Sequence, residues 1–287
     1  MRSSEWIQAG FAVILALAAW IRPLPAGRRW LVTALCAFAV IAIAAARESI
    51  HLLPPVAVSI LRDWLTVVLM PIPYWQAGQF FLGPNEKIQA WLLESDRKLQ
   101  NLLPPPLRTS SPWLRLTMEW AYMFCYPLAP LGLAVLYIEG LRQYSSVYWF
   151  IVLVPTYLCY GITPFFPALP PRSLTKKQSP AATTKSRIFN LWILKYLSIQ
   201  AISFPSAHVA SALAVSFVLL LYVPIAGVIF LIISIWIGVA AVVGRYHYAL
   251  DVILGAAVAL IFIAAWCAHL IPSSLITTPA VAFTAAL

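Results

Sequence analysis

The chain has 287 residues, of which 62% are hydrophobic and only 10% are charged. This composition lies outside the range of soluble globular domains and predicts an integral membrane protein. The net charge of +10 comes from basic residues that flank apolar runs. We therefore expect membrane lipids and an anionic substrate as partners, and no nucleic acid, because no soluble segment interleaves basic and aromatic residues.

Eight apolar runs predict membrane-spanning helices, because about 20 apolar residues cross the hydrocarbon core and must satisfy their own backbone hydrogen bonds there. We expect an all-α fold, a polytopic transmembrane helical bundle of six to eight spans. The runs cover residues 6–21, 30–46, 55–72, 115–138, 147–166, 207–222, 225–243 and 251–271.

The third run decides the number of spans, because it is the least regular. Prolines stand at both of its ends, and Arg62 lies beside Asp63 in its middle. We expect this segment to be broken or partly interfacial. Because isolated charge is costly in hydrocarbon, we expect the two side chains to form a neutral pair that faces the bundle.

The segment "NEKIQAWLLESDRKLQNLL" follows the third run and carries apolar residues at helical spacing among charges. This pattern predicts an amphipathic helix that lies in the membrane interface. We divide the chain there. Residues 1–113 hold the N-terminal spans and the interfacial helix, and residues 114–287 hold a catalytic helical core within one membrane domain.

The longest polar stretch, residues 167–203, joins the fifth and sixth runs. Its middle, "SLTKKQSPAATTKS", has no apolar period and predicts a mobile loop. The following "FNLWILKYLSIQ" predicts a short helix that returns to the interface.

The sixth run begins with "SFPSAHVASA", which places polar side chains at the start of a membrane helix. Pro205 suits a first helical turn, and Ser203 or Ser206 can cap its free N–H groups. Those N–H groups and the positive end of the helix dipole form an anion site. His208 stands in the first turn beside that site.

The segment "GRYHYALD" follows the seventh run. His247 and Asp251 are four residues apart, so on a helix they share a face, and the carboxylate can fix the tautomer of the ring. The short connection at residues 222–227 makes runs six and seven an antiparallel hairpin. The start of run six and the end of run seven therefore meet, and the fifth run delivers Arg172 to the same face.

These groups are the parts of a phosphoryl-transfer site that works through a phosphohistidine. His247, oriented by Asp251, would attack phosphorus, and His208 would protonate the leaving oxygen. Arg172 and Arg245 would hold the phosphate oxygens. We expect no metal and no cofactor, because the arginines supply the positive charge.

Three motifs resemble the type 2 phosphatidic acid phosphatase and vanadium haloperoxidase superfamily, in its membrane branch that includes inositol phosphorylceramide synthase and bacterial relatives. Pro205 to His208 match the Pro-Ser-x-His motif, and His247 with Asp251 match the His-x-x-x-Asp motif. The segment "FPALPPR", which ends at Arg172, is similar to the region of the first motif.

The resemblance implies a metal-independent lipid phosphatase or a related phosphotransferase. It implies that the nucleophile is His247, the acid and base is His208, the orienting carboxylate is Asp251, and the phosphate ligands are Ser206, Arg172 and Arg245. The family's first-motif lysine falls on Phe165 here, and Lys195 is the candidate replacement. The third motif's usual arginine falls on Ala241, so Arg245 reaches the phosphate only if the helix ends near Gly244.

Three functions follow from these residues. The first is hydrolysis of a lipid phosphate or lipid diphosphate. The second transfers the phosphoryl or phosphoalcohol group to a lipid hydroxyl, as a sphingolipid or phospholipid headgroup synthase does. The third is a membrane transporter with a His/Asp/Arg relay, which would require polar residues through several spans, whereas the last three runs are almost purely apolar.

We expect an integral protein of a bacterial inner membrane. Most basic residues fall on the face that holds the site, and the positive-inside rule places that face in the cytoplasm. The resemblance implies a periplasmic or lumenal site instead. The side of the active site, the lipid and the oligomeric state therefore stay open.

Overall fold

The computed structural model of the protein describes residues 1–101, 112–174, 184–272 and 275. Most of the loop predicted to be mobile lies outside these residues. The first five helices are α1 (Ser3–Ile21), α2 (Ala26–Glu48), α3 (Pro55–Leu69), α4 (Ile72–Gly78) and α5 (Glu86–Gln100). The later helices are α6 (Pro112–Met123), α7 (Leu128–Ile138), α8 (Ser145–Ile162), α9 (Pro171–Leu174), α10 (Lys185–Leu197), α11 (Ala207–Tyr222), α12 (Pro224–Val243) and α13 (Ala249–Cys267).

Six segments in the described part of the chain are long and apolar enough to cross a membrane, and α6 with α7 adds a seventh as a span bent by 67°. Helix α11 is a shorter apolar helix. The predicted all-α polytopic bundle is confirmed. The third span combines α3 and α4 and is interrupted at Met70 and Pro71, so the run predicted to be broken or partly interfacial is broken.

Helix α11 lies at the centre of the bundle. It packs against α7, α8, α12 and α13, and its side chains are buried around most of its circumference. A helix that is apolar on all sides is stable only when it is surrounded, by protein or by lipid. The N-terminus of α11 is therefore fixed by the helices around it.

The predicted hairpin of α11 and α12 is tight. A Cβ at Gly227 would lie 2.3 Å from the backbone nitrogen of Leu220, so only glycine allows the two backbones to approach this closely. Further along, the hydroxyls of Ser216 and Ser234 lie 2.8 Å apart, and both are buried. The two helices run antiparallel, which brings the start of α11 and the end of α12 to one end of the bundle.

Helix α5 forms as predicted, with Asn85 as its cap. The Asn85 side chain accepts hydrogen bonds from the backbone N–H groups of Lys87 and Ile88. Leu92 is fully buried in a cluster with residues from the loops at 168, 202, 204 and 248. The apolar side of α5 therefore packs on the loops that carry the candidate site.

The charges of the third span do not pair with each other, which corrects the expectation of an Arg62–Asp63 pair. Arg62 donates to both carboxylate oxygens of Glu5, at 2.6 and 2.8 Å, and Asp63 forms its ion pair with Arg2. Neighbouring positions on a helix point about 100° apart, so each side chain finds its partner on α1 or just before it.

Asp63 is 2% exposed and lies at the centre of this ion-pair cluster. Besides Arg2, it accepts hydrogen bonds from Tyr137 at 2.7 Å and from Ser145 at 3.0 Å. Arg142 lies 3.7 Å away. The cluster joins α1, α3, α7 and α8 at the end of the bundle opposite the start of α11.

Replacing Asp63 by asparagine should strongly destabilise the protein. Asp63→Asn keeps the shape but leaves Arg2 buried without its counter-charge, and breaking a buried pair in this way costs about 3 kcal/mol or more. The measurement is thermal unfolding of the purified protein in detergent. Glu48→Gln is the matched control, because the Glu48 side chain is 74% exposed. Equal melting temperatures for the two variants would contradict this role of Asp63.

Candidate active site

Ser206 and His208 stand at the N-terminus of α11. Ser206 is the N-cap residue and is fully buried, and its backbone N–H donates to the carbonyl of Asp251 at 2.9 Å. The Ser206 hydroxyl and His208 Nδ1 are buried without a hydrogen-bond partner among the described residues. Buried polar atoms normally have a partner, so these two atoms are suited to receive a polar group of a substrate.

His247 lies in the connection between α12 and α13 and is 3% exposed. Its Nδ1 lies 3.0 Å from Oδ2 of Asp251, on the first turn of α13. When Nδ1–H donates to the carboxylate, Nε2 keeps its lone pair. Burial, and then the positive charge of Arg172, lower the pKa of His247, which keeps the ring neutral at pH 7.

The two histidine rings are neighbours, as the hairpin predicts. Their centroids lie 5.5 Å apart, with an angle of 66° between the ring planes. Three tyrosine rings also lie against His208, with centroids at 5.9 to 6.3 Å: Tyr74, Tyr122 and Tyr126. Aromatic rings therefore surround His208, which itself stays partly exposed.

Arg172 reaches the histidines from the end of the fifth span. Its backbone N–H donates to the carbonyl of Arg245 at 2.8 Å, and its guanidinium donates to the carbonyl of Tyr246 at 3.3 Å. The guanidinium lies close enough to both His208 and His247 for its positive charge to disfavour protonation of the two rings. Arg172 thus supplies positive charge beside the rings, as a phosphate site requires.

Helix α12 ends at Val243, and this end places His247. Arg245 has a φ of 61°, in the left-handed region, and the backbone N–H of His247 donates to the carbonyl of Ala241 at 2.9 Å. The helix therefore ends near Gly244. This is the condition that the sequence set for the Arg245 side chain to point towards the site. The structure brings together Ser206, His208, His247, Asp251 and Arg172 at one end of the bundle.

The sequence model described as the PAP2 superfamily matches residues 90–265. The chain belongs to the PAP2 superfamily. No curated protein and no solved structure matches the chain with significance. PAP2 proteins are generally phosphatases and related phosphotransferases, so membership supports a reaction of this type. The match begins inside α5, and the division of the chain at residue 113 stays a prediction.

Two carboxylates that no sequence motif indicates hold the loop of the candidate site. The first is Asp96 of α5, which is 2% exposed. Its Oδ2 accepts from the Arg245 guanidinium at 2.6 Å, and its Oδ1 accepts from the backbone N–H of Ala249 at 3.0 Å. Arg245 therefore has a protein partner, and its role as a phosphate ligand stays a prediction.

The second carboxylate is Glu119 of α6, on the other side of the loop. It accepts from the Tyr246 hydroxyl, from Asn190 at 2.6 Å and from Arg187 at 3.0 Å. Arg187 also donates to the carbonyl of Gly244 at 2.9 Å. This network ties α10 and α6 to the residues just before His247. No local pattern in the sequence indicates it, because its members lie far apart along the chain.

Lys195 is placed differently from the other predicted ligands. It is exposed on α10, and its ammonium lies over the ring of its neighbour Tyr196, 5.1 Å from the centroid. No described contact joins it to either histidine. At Phe165, where the family carries a lysine, the guanidinium of Arg22 lies 5.5 Å from the ring centroid.

Adding a methyl group at Gly255 should inactivate the PAP2 site. A Cβ there would lie 2.3 Å from the carbonyl oxygen of Ser206, so Gly255→Ala must push α13 away from α11. A displacement of about 1 Å can cost about 100-fold in turnover. Gly238→Ala is the matched control, because its Cβ would meet Val252 at an ordinary 3.5 Å. The measurement is phosphate release at saturating substrate, and equal activity of the two variants would contradict the close approach.

Proposed function

We propose that this PAP2 protein hydrolyses a lipid phosphate or lipid diphosphate through a phosphohistidine intermediate. The observation that carries the proposal is the adjacency of two histidines at the N-terminus of α11: His208, and the buried His247 that is bonded to Asp251. A neutral histidine with a fixed tautomer is a nucleophile, and a second histidine beside it can move the proton.

In the first half-reaction, Nε2 of His247 attacks phosphorus and forms a P–N bond. The bond from phosphorus to the leaving oxygen breaks, and His208, which takes up a proton when the negatively charged phosphate binds beside it, gives that proton to the leaving oxygen. Asp251 stabilises the positive charge that develops on the His247 ring. One product is the phosphohistidine. The other is a lipid alcohol, or a lipid monophosphate when the substrate is a diphosphate.

In the second half-reaction, water attacks the phosphohistidine. His208 accepts a proton from that water, a P–O bond forms and the P–N bond breaks. Inorganic phosphate leaves, and both histidines return to their starting states. No oxidant or reductant takes part in either half.

The phosphate oxygens are held by groups that carry no negative charge. Ser206 offers a buried hydroxyl, the first turn of α11 offers its free N–H groups, and Arg172 offers a guanidinium beside both rings. Arg245 joins them only when its pair with Asp96 opens. Lys195 would have to move to take part.

Transfer to a lipid hydroxyl is the second candidate, and one observation favours it. Three tyrosine rings lie against His208, and an aromatic lining suits the apolar body of an acceptor lipid whose hydroxyl would react with the phosphohistidine in place of water. This outcome would place the chain in the inositol phosphorylceramide synthase branch. For either reaction we propose a bacterial inner membrane as the location.

Substitution of the two histidines should separate the half-reactions. His247→Ala should lower turnover of phosphatidic acid by more than about 10³-fold, because the nucleophile is lost. His208→Ala should lower it by about 10² to 10⁴-fold, because proton transfer is lost, and should accumulate phosphohistidine from an activated phosphate ester. The measurements are phosphate release without added metal and acid-labile phosphate on the protein.

His51→Ala is the control for these variants, because His51 is exposed and lies away from the site. Its activity should equal that of the unchanged protein. Full turnover by His247→Ala would contradict the mechanism. Absence of acid-labile phosphate from His208→Ala, with every substrate offered, would contradict the covalent intermediate.

Competition between water and a lipid alcohol should show which acceptor the site prefers. We expect purified protein with phosphatidic acid or a polyprenyl diphosphate to release phosphate at the same rate with and without ceramide or diacylglycerol. Mass spectrometry of the lipids is the measurement. A new phospholipid or sphingolipid product that replaces free phosphate would favour the phosphotransferase.

A further inference from the structure

The segment just before Arg172 has little means of fixing its own conformation. It reads "PALPP", residues 167–171, and its three prolines leave only Ala168 and Leu169 with a backbone N–H. Because proline removes a donor and breaks a helix, this segment cannot continue the fifth span as a regular helix. Its position therefore depends on the groups that bond to it from other parts of the chain.

Three consecutive carbonyls of this segment accept hydrogen bonds from three different elements. The first accepts from the backbone N–H of Asn85 at 2.7 Å, and the second accepts from the backbone N–H of Ile202 at 2.9 Å. The third, the carbonyl of Leu169, accepts from the Tyr248 hydroxyl at 2.8 Å. The start of α5, the loop before α11 and the connection before α13 therefore meet at this segment.

Gln89 of α5 closes this junction with both ends of its side-chain amide. Its Oε1 accepts from the backbone N–H of Leu169 at 2.8 Å, and its Nε2 donates to the Tyr248 hydroxyl at 2.6 Å. With the bond from Tyr248 to the Leu169 carbonyl, these contacts form a closed ring of three hydrogen bonds. A primary amide can accept from an N–H and donate to a hydroxyl at the same time, so glutamine suits this position.

The junction sets the position of Arg172 relative to His247. Leu169 is joined to Arg172 through two prolines, whose fixed φ makes the link stiff, and Tyr248 is the neighbour of His247 in the chain. A shift of Leu169 against Tyr248 therefore moves the guanidinium against the ring. The hydrogen bonds from Arg172 to carbonyls of the His247 connection depend on the same register.

We infer that Gln89 is a positioning residue that acts through Arg172, by fixing its guanidinium relative to His247. The inference rests on the proposed function, in which Arg172 stabilises the charge on the transferred phosphate. A charged group lowers the barrier most when it is already in place before the reaction begins. Loss of the Gln89 amide should therefore slow the chemical step.

Replacing Gln89 by methionine tests the inference, because Gln89→Met keeps the length of the side chain and removes both hydrogen bonds. It should lower kcat for phosphatidic acid by about 10- to 100-fold and change KM less than about twofold, since a displacement of about 1 Å has an effect of this order. The measurement is phosphate release.

Gln79→Met is the matched control, because the Gln79 side chain bonds to the carbonyl of Trp75, four residues earlier in the chain. Its kcat should equal that of the unchanged protein. Equal kcat values for Gln89→Met and Gln79→Met would overturn the inference.

The Arg172→Ala background separates positioning from a general loss of structure. Adding Gln89→Met to Arg172→Ala should change the residual kcat less than about twofold, because members of one network are not additive. A full loss of about 10- to 100-fold in this background would show that Gln89 acts on the fold, and would overturn the inference. Should Gln89→Met fail to fold, Tyr248→Phe removes one hydroxyl of the same ring of bonds and should show the same dependence on Arg172.

Orthovanadate binding gives a readout that needs no turnover. Five-coordinate vanadate resembles the transition state of phosphoryl transfer, and calorimetry measures its Kd on the purified protein in detergent. Gln89→Met should raise this Kd about tenfold, and Gln79→Met should leave it unchanged. Equal Kd values for the two variants would overturn the inference.

The two measurements separate the inference from the proposed function. If the unchanged protein binds vanadate but hydrolyses no lipid phosphate, the proposed function fails, and the Kd values still decide the role of Gln89. If the unchanged protein releases phosphate and both glutamine variants match it, the proposed function stands and the inference fails. If the unchanged protein neither binds vanadate nor releases phosphate, both fail together.

Discussion

The contact between the first turns of α11 and α13 sets the spacing of the residues in the candidate site. The backbone N–H of Ser206 donates to the carbonyl of Asp251, and Gly255 leaves no side chain between the two backbones. The first turn of α11 carries His208. The first turn of α13 carries the side chain of Asp251, which is bonded to His247. Ser206 and Asp251, which are 45 residues apart in sequence, are thereby held together.

This contact alone would not fix His247, because His247 lies in an irregular connection with a left-handed residue at Arg245. The connection is braced from both sides. Asp96 holds Arg245 and the start of α13 from α5, and Glu119 holds the neighbouring Tyr246 together with Arg187. Preorganisation of this kind is what allows charges and dipoles to act on a transition state without a cost of rearrangement. Through Asp96, helix α5 therefore supports the connection that holds His247, and most of this helix lies within the matched PAP2 region.

Features that depend on local sequence could be predicted, and features that depend on the register between helices could not. Hydropathy located the spans, a short connection gave the hairpin, and the spacing of four residues placed Asp251 beside His247. The partners of Asp96 and Glu119 lie far along the chain, so nothing near them in sequence indicates the contact. The assumption that adjacent charges pair failed at Arg62 and Asp63, because each points to a different residue near the N-terminus.

The shortness of α11 has a consequence for the whole membrane. At 16 residues, or about 24 Å, α11 is shorter than the roughly 30 Å hydrocarbon core, and a site at one of its ends would face a single leaflet. Under the proposed function, the lipids of that leaflet are the enzyme's entire supply. Its rate in a cell would then follow the asymmetry of the bilayer and the speed at which lipid phosphates are flipped across it, besides the total amount of substrate.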